Sequence, residues 1–291
     1  MNNILSSMLS GYELRSDYDK KNAMKEIIQE IILCSLSRTD FFKHAAFYGG
    51  TALRIFYGLD RFSEDLDFSL LSPDRGFDLT SYLPALESEV RSYGLNLRAE
   101  VRTKTKDSFV QSAFVKGNTR EQLLFFFPEE SLSELVPGNE TVKIKFEVDT
   151  DPPPFAGYEK QYRLLPIPYE VQLYDAPSLF AGKIHAVLCR GWKNRIKGRD
   201  LYDFVFYLSR KIPVNLAHLN ARLEDSGFIA DGKQMTLPDI KKALCDRFGA
   251  IDYANAKQDA LPFIKNPASV NVWSAEFFTS ITRDLTSARL S

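Results

Sequence analysis

The stretch FYGGTALRIFYGLDRFSEDLDFSL, residues 47–70, decides the reading of this chain. Gly49-Gly50-Thr51 stands directly before ALRIFYG, which reads as a helix that Gly58 ends. Glycines let a backbone approach a phosphate, and the N–H groups and dipole of a following helix favour an anion. Thr51 adds a hydroxyl donor. DLDFSLL, 65–71, reads as a short strand on which Asp65 and Asp67 point to one face. Two adjacent carboxylates repel each other unless a cation neutralises them. Two Mg²⁺ ions bridged by such a pair can hold a triphosphate and activate an attacking hydroxyl. Taken singly, a glycine pair is an ordinary turn and the acidic pair an exposed strand end.

The spacing joins the two halves. Thirteen residues separate Thr51 from Asp65, enough for one helix and a return to the next strand. A glycine turn, a helix and a strand carrying two aspartates is the layout of a nucleotidyltransferase core of the DNA polymerase β type. Such a site takes a third carboxylate from a neighbouring strand, as base on the acceptor hydroxyl or as metal ligand. The candidates lie on TVKIKFEVD, 141–149, where Ile144, Phe146 and Val148 alternate with Lys143, Lys145, Glu147 and Asp149. Glu147 is preferred, because Asp149 is close to the strand end and to Pro152-Pro153-Pro154. The alternative is a solvated strand face.

Outward from this core, the 291 residues are 44% hydrophobic and 26% charged, which excludes a disordered, collagen-like or coiled-coil chain. A net charge of −1 excludes a globally basic nucleic-acid binder and leaves room for a local basic patch. No apolar run is long enough for a transmembrane helix, and no signal peptide is visible. Cys34, Cys189 and Cys245 have no CxxC spacing, and His44, His185 and His218 form no ligand motif; reduced thiols in a cytoplasmic protein are expected.

The order of elements predicts an α+β chain in two domains. Residues 1–174 form the α/β domain: an amphipathic helix over 20–37, a helix from Thr80 or Ser81 to Tyr93, strands at LNLRAEV, SFVQSAFV, QLLFFF and 141–149, and a further pair at YEKQYRLL and YEVQLY. Residues 175–291 form a helical domain, with helices at APSLFAGKIHAVLCR, capped by Asp175, at RDLYDFVFYLSR, and near 213–226, 237–248 and 270–285.

A second group of residues sits on those helices. Lys183 offers a point charge to a triphosphate and its leaving pyrophosphate. Asp200 and Asp203 share a helix face and suit orienting Lys183 or Arg199, or contacting a ribose. Between the helices, Arg190, Lys193, Arg195, Lys197 and Arg199 with Trp192 suit RNA phosphates and a base. The alternative is a solvated charge run. His185 reads as packing or surface, and Phe204, Phe206 and Tyr207 as core.

Together, Gly49-Gly50-Thr51, Arg61-Phe-Ser-Glu-Asp-Leu-Asp-Phe68, the Lys183 helix and Arg199-Asp-Leu-Tyr-Asp203 resemble the AbiEii/MenT-like nucleotidyltransferases, toxins of type IV abortive-infection toxin–antitoxin systems. The resemblance covers roughly 47–70 and 179–205. It implies a polymerase β-like minimal core with a helical C-terminal part contributing to the active site. It also implies nucleotide transfer from an NTP with Mg²⁺, or Mn²⁺ in its place. In some relatives the acceptor is the tRNA 3′ end, which blocks translation and growth. By position, Gly50 and Thr51 match the family's glycine–hydroxyl pair, with Thr for the usual Ser. Asp65 and Asp67 match the metal carboxylates, Lys183 the family lysine, and Asp200 or Asp203 the later aspartate. A cognate antitoxin encoded nearby is implied. Ser63, two residues before Asp65, is a hypothesised control point: a phosphate there adds about −2 of charge beside the carboxylates. Full activity in Ser63→Asp overturns that hypothesis. Two further readings stay open. One is the same fold acting on a protein or small-molecule hydroxyl. The other is a non-catalytic nucleotide or RNA binder.

Overall fold

In the computed structural model, residues 3–101, 109–127, 138–191 and 197–288 are described. The chain divides into two compact units. One holds Met1–Ala52, Ser63–Pro152 and Lys160–Leu173; the other holds Leu53–Phe62, Pro153–Glu159 and Tyr174–Ser291. These units are discontinuous in sequence, unlike the expected 1–174 and 175–291: Leu53–Phe62 and Pro153–Glu159 group with Tyr174–Ser291.

The elements run in chain order as α1 (Asn3–Leu9), α2 (Asp17–Ser37), α3 (Phe41–His44), β1 (Ala45–Tyr48), α4 (Gly49–Tyr57), β2 (Leu66–Leu70), α5 (Leu83–Ser92), β3 (Arg98–Val101), β4 (Val110–Asn118), α6 (Thr119–Phe126), β5 (Thr141–Asp149), β6 (Tyr158–Arg163) and β7 (Tyr169–Tyr174). The strands form a mixed sheet in the order β3-β4-β5-β2-β1-β7-β6. β2 therefore sits in the middle, antiparallel to β1 and parallel to β5. Leu66 and Phe68 are fully buried, and Asp67 between them is half-buried. Phe68 meets Phe41, Phe47 and Phe146 at ring centroids 4.9–5.0 Å apart. Those separations suit edge and tilted aromatic packing.

α2 starts three residues before the expected Lys20, because Ser16 accepts from the Asp19 backbone N–H and caps it. Met24, Ile27, Ile28, Ile31, Ile32 and Leu36 are all fully buried, as their spacing requires.

Two expectations fail here. QLLFFF is not a strand: Asn118 caps α6, whose Leu123 and Phe126 are buried on one face while Leu124 stays exposed. A short apolar run does not distinguish helix from strand by itself, and the cap decided it. Nor do Thr80 and Ser81 cap a helix: Asp78 caps a 3₁₀ turn, Leu79–Tyr82, which leads into α5.

The second unit is helical, with α7 (Ala176–Cys189), α8 (Gly198–Ser209), α9 (Leu216–Asp225), α10 (Leu237–Gly249), α11 (Tyr253–Ala260) and α12 (Ala275–Thr282). Asp175 caps α7, and Thr236 with Asp239 forms a capping box on α10. Its core stacks Phe180 on Tyr207 at 4.5 Å and joins Phe204, Phe248 and Phe278. Phe204 and Tyr207 are core as expected; Phe206 is half-buried beneath Arg210. No helix among the described residues is long and apolar enough to cross a membrane.

Candidate active site

In the first unit Asp67 and Glu147 lie on one row of the sheet. The register sets Tyr48 beside Asp67, Asp67 beside Glu147, and Glu147 beside Ser112. Asp149 pairs with Ser69 instead, one pleat further from Asp65. Of the two candidates that sequence separated by distance from the prolines, Glu147 is thus the one beside Asp67.

Three local devices hold Asp65 and Asp67. Gly49 adopts φ +83°, and a Cβ there would lie 2.7 Å from Asp67 Oδ2 and 3.2 Å from Asp67 Cβ. The glycine is thus needed for the close approach of the carboxylate as well as for the left-handed backbone. The Thr51 hydroxyl is buried and donates to the Asp65 carbonyl at 2.5 Å. Gln29, buried on α2, donates its amide to the carbonyls of Ser63 and Glu64 at 3.1 and 2.9 Å. Lys25 adds an ion pair to Glu64 at 3.2 Å. The segment entering β2 is therefore anchored at three successive carbonyls.

Thr51, expected as a donor to phosphate, gives its proton here to the Asp65 carbonyl. Glu147, the preferred third carboxylate, is held at both oxygens. Its Oε1 accepts from Ser112 at 2.8 Å and its Oε2 pairs with Lys145 at 2.5 Å. Among the described residues no three His, Cys, Asp or Glu side chains assemble as a ready metal site. What exists is an Asp65–Asp67 pair of hard oxygen donors with Glu147 in the neighbouring register. That set fits Mg²⁺, which is usually held by one or two carboxylates together with substrate phosphates rather than by an all-protein cage.

In the second unit five charges form an alternating chain. Arg61 grips Asp203 with both arms of its fork at 2.6 Å. Asp203 pairs with Lys183 at 2.7 Å, Lys183 with Asp200 at 2.7 Å, and Asp200 with Arg190 at 2.5 Å. Arg61, Asp200 and Asp203 are all buried. Burial pushes the Asp200 carboxyl up, but Lys183 and Arg190 outweigh it and hold it below its ordinary value. Burial would also weaken the charge of Arg61, and Asp203 more than restores it. Asp200 and Asp203 each pair with Lys183, one of the arrangements their shared helix face allowed. Arg199 lies over Phe263 at 4.0 Å and faces Asp259 at 3.9 Å. Arg61 was missed because its partner is 142 residues away in sequence. Gln29 was missed because an amide inside an apolar helix pattern carries no motif.

A model of the family described as nucleotidyl transferase AbiEii toxin, type IV TA system, matches residues 31–276. The chain belongs to this family. Among solved structures it is similar to MenT4, a nucleotidyltransferase toxin of Mycobacterium tuberculosis, at 18% identity and a TM-score of 0.57, over 97% of this chain and 89% of that one. It is also similar to JHP933 of Helicobacter pylori, at 19% identity and a TM-score of 0.49, over 89% of each chain. No curated protein matches. The MenT4 likeness shows the toxin nucleotidyltransferase fold. AbiEii membership makes the chain a toxin nucleotidyltransferase of a type IV system and implies a cognate antitoxin.

The remaining AbiEii-type candidates divide by place. Gly50 lies in the first turn of α4, and Ser63 is half-buried before β2. Arg190 is a half-exposed end of the ion chain and Lys197 flanks α8. Trp192, Lys193 and Arg195 lie outside the described residues. His185 packs on α7, where burial and then Arg222 push it down to about 4, so it is neutral at neutral pH.

Proposed function

We propose that this AbiEii-family chain is an Mg²⁺-dependent enzyme that moves a nucleotide from an NTP to the 3′ hydroxyl of an RNA, with tRNA as the acceptor class. The observation that carries the reading is the seating of Asp67 against Gly49, with Asp65 two residues before it and Glu147 in register beside it. Asp65 and Asp67 would hold a Mg²⁺ ion, which would supply positive charge to the phosphates and make the acceptor hydroxyl easier to deprotonate.

The chain's own residues set the geometry. Thr51 and Gln29 fix the backbone that presents Asp65, so this carboxylate needs little reorganisation on binding. Glu147 takes the proton of the acceptor hydroxyl at Oε1, where Ser112 now donates an exchangeable hydrogen bond. Lys145 pairs with Oε2 and fixes the other end of the carboxylate. In the second unit, three cations stand against two carboxylates in the Arg61–Arg190 chain, leaving one excess positive charge. Lys183 is assigned as a counter-charge to phosphate.

The test is incubation of the purified chain with tRNA and each α-labelled NTP, with Mg²⁺ or with EDTA. Asp65→Ala/Asp67→Ala is the control. Label in tRNA, lost with EDTA and in the variant, is the expected result. Label on a protein band instead moves the acceptor to a protein hydroxyl. No transfer to any acceptor, with no melting shift from NTP and Mg²⁺, overturns the reading.

A further inference from the structure

Helix α8 has two faces that differ in kind. Asp200, Asp203, Phe204 and Tyr207 turn inward to the ion chain and the core. Tyr202, Val205, Phe206 and Ser209, spaced i, i+3, i+4 and i+7, share the opposite face. An outer helix face is ordinarily polar and solvated. Here Tyr202, Val205 and Phe206 are half-buried and line a cleft of about 310 Å³, which the buried Trp273 also lines. That volume stands at the low end of small-molecule sites, about 300–1,000 Å³. The cleft lies wholly within the second unit.

Its lining carries charge of both signs. The exposed Arg210 guanidinium lies 5.4 Å from the centroid of Phe206, and among the described residues no carboxylate pairs with it. Asp60 accepts from the Tyr202 hydroxyl at 2.7 Å. Burial, and then this bond, push the Tyr202 phenol up, so it stays a donor. A string of phosphates alone does not suit the cleft, because Asp60 repels it. An apolar side chain leaves Asp60 and Arg210 unused. A nucleotide matches every part: its base has π-faces for the rings and N–H donors for a carboxylate, and its phosphate is an anion for a guanidinium. One segment also serves both faces of α8, since Asp60 reaches Tyr202 while the next residue, Arg61, grips Asp203 of the ion chain. We propose that this cleft takes one nucleotide of the RNA acceptor, its base against Phe206 and Trp273 and its phosphate on Arg210. The inference rests on an RNA acceptor, as proposed above, and adds a contact outside the 190–199 run.

The test needs no turnover and is run in EDTA. The chain has two tryptophans, so Trp192→Phe leaves Trp273 as the sole reporter. Its emission is titrated with each of the four nucleoside monophosphates, and with ribose 5-phosphate as a probe that carries phosphate and no base. Saturable quenching by one or more of the monophosphates, and none by ribose 5-phosphate, is expected. Arg210→Gln should weaken binding about 10-fold or more through loss of a charge-assisted bond, and Phe206→Leu about 10-fold through loss of stacking. Lys242→Gln, which removes a surface lysine already paired with Asp246, leaves it unchanged. Melting temperatures of all variants establish that they are folded. Absence of quenching by all four monophosphates at about 10 mM, where even millimolar binding is nearly complete, overturns the proposal. So does unchanged affinity in folded Arg210→Gln/Phe206→Leu. So does quenching by an amphipathic, leucine-rich peptide with no response to nucleotide, which gives the cleft to a protein partner. The Trp273 response is read without Mg²⁺, and the NTP-dependent melting shift with it, so failure of this cleft and failure of the nucleotidyltransferase reading are separately visible.

Discussion

Gly49→Ala is expected to separate stability from chemistry. The substitution does two things. It places a side chain at φ +83°, which costs about 1–2 kcal/mol for an L-residue. It also puts a Cβ 2.7 Å from Asp67 Oδ2 and 3.2 Å from Asp67 Cβ. Rotating the carboxylate relieves the first contact and leaves the second, so the strand must yield as well. Ordinary contact begins near 3.4 Å, which makes the oxygen about 0.7 Å too close. A misplacement approaching 1 Å at a reacting centre costs about 100-fold in rate. Gly58→Ala is the matched control: it carries φ +78° and meets nothing within 4 Å. Gly58→Ala should therefore melt about 2–6 °C lower than wild type, the shift that about 1–2 kcal/mol produces in a chain of this size, and Gly49→Ala at least as far. Only Gly49→Ala should lose about 100-fold in kcat/KM for labelled nucleotide incorporation. If Gly49→Ala keeps a third or more of wild-type transfer while melting like Gly58→Ala, the seat of Asp67 has no role in the chemistry.

Three further outcomes follow from the same geometry. His218 is fully buried, with Nδ1 bonded to the Pro154 carbonyl at 2.8 Å, and burial pushes it down to about 4. The unfolded chain therefore takes up a proton that the folded chain refuses. That stability is present above about pH 6.5 and is lost as the pH falls towards 4, by about 2 kcal/mol between pH 7.5 and 5. Urea melts at those two pH values should show a smaller drop in His218→Gln; an equal drop rules the histidine out. Arg61→Met and Asp203→Asn each leave a buried charge short of its partner and should cost about 3–5 kcal/mol. The double variant should cost clearly less than the sum, and strict additivity in denaturant melts refutes the coupling. Gln29→Leu removes the amide from the Ser63 and Glu64 carbonyls and should cost about 1–3 kcal/mol. Its transfer rate, compared with a core variant of equal stability loss such as Ile28→Ala, should fall further; equal rates refute a positioning role.

Sequence exposed those parts of the site that are local. The glycine turn, the helix and the Asp65–Asp67 pair lie within one stretch, and each leaves a pattern in residue type and spacing. Lys183 with Asp200 and Asp203 was legible for the same reason, since neighbouring helix faces follow from periodicity. Register was not legible. The pairing of Asp67 with Glu147 depends on how β2 meets β5, and alternation on each strand is compatible with several offsets. The partners that hold the motif were hidden for a related reason. Gln29 reaches 34 and 35 residues along the chain, and the Arg61 fork reaches 142. α6 was misread because Leu, Phe and Phe in succession satisfy a buried strand and a helix equally, and the deciding Asn118 cap is outside the run.

The central place of β2 has a consequence for how this toxin comes off the ribosome. Leu66 pairs with Phe146, eighty residues further on, and Phe47 of the adjoining β1 pairs with Leu173, later still. A chain that has emerged only as far as Asp67 carries the acidic motif without its parallel neighbour. At about 5–20 residues per second, several seconds of synthesis pass before β5 can dock. Prematurely terminated fragments would carry Asp65 and Asp67 on a strand with an open side, unable to seat Glu147. A fragment released before Thr141 therefore lacks the strand that sets Glu147 beside Asp67.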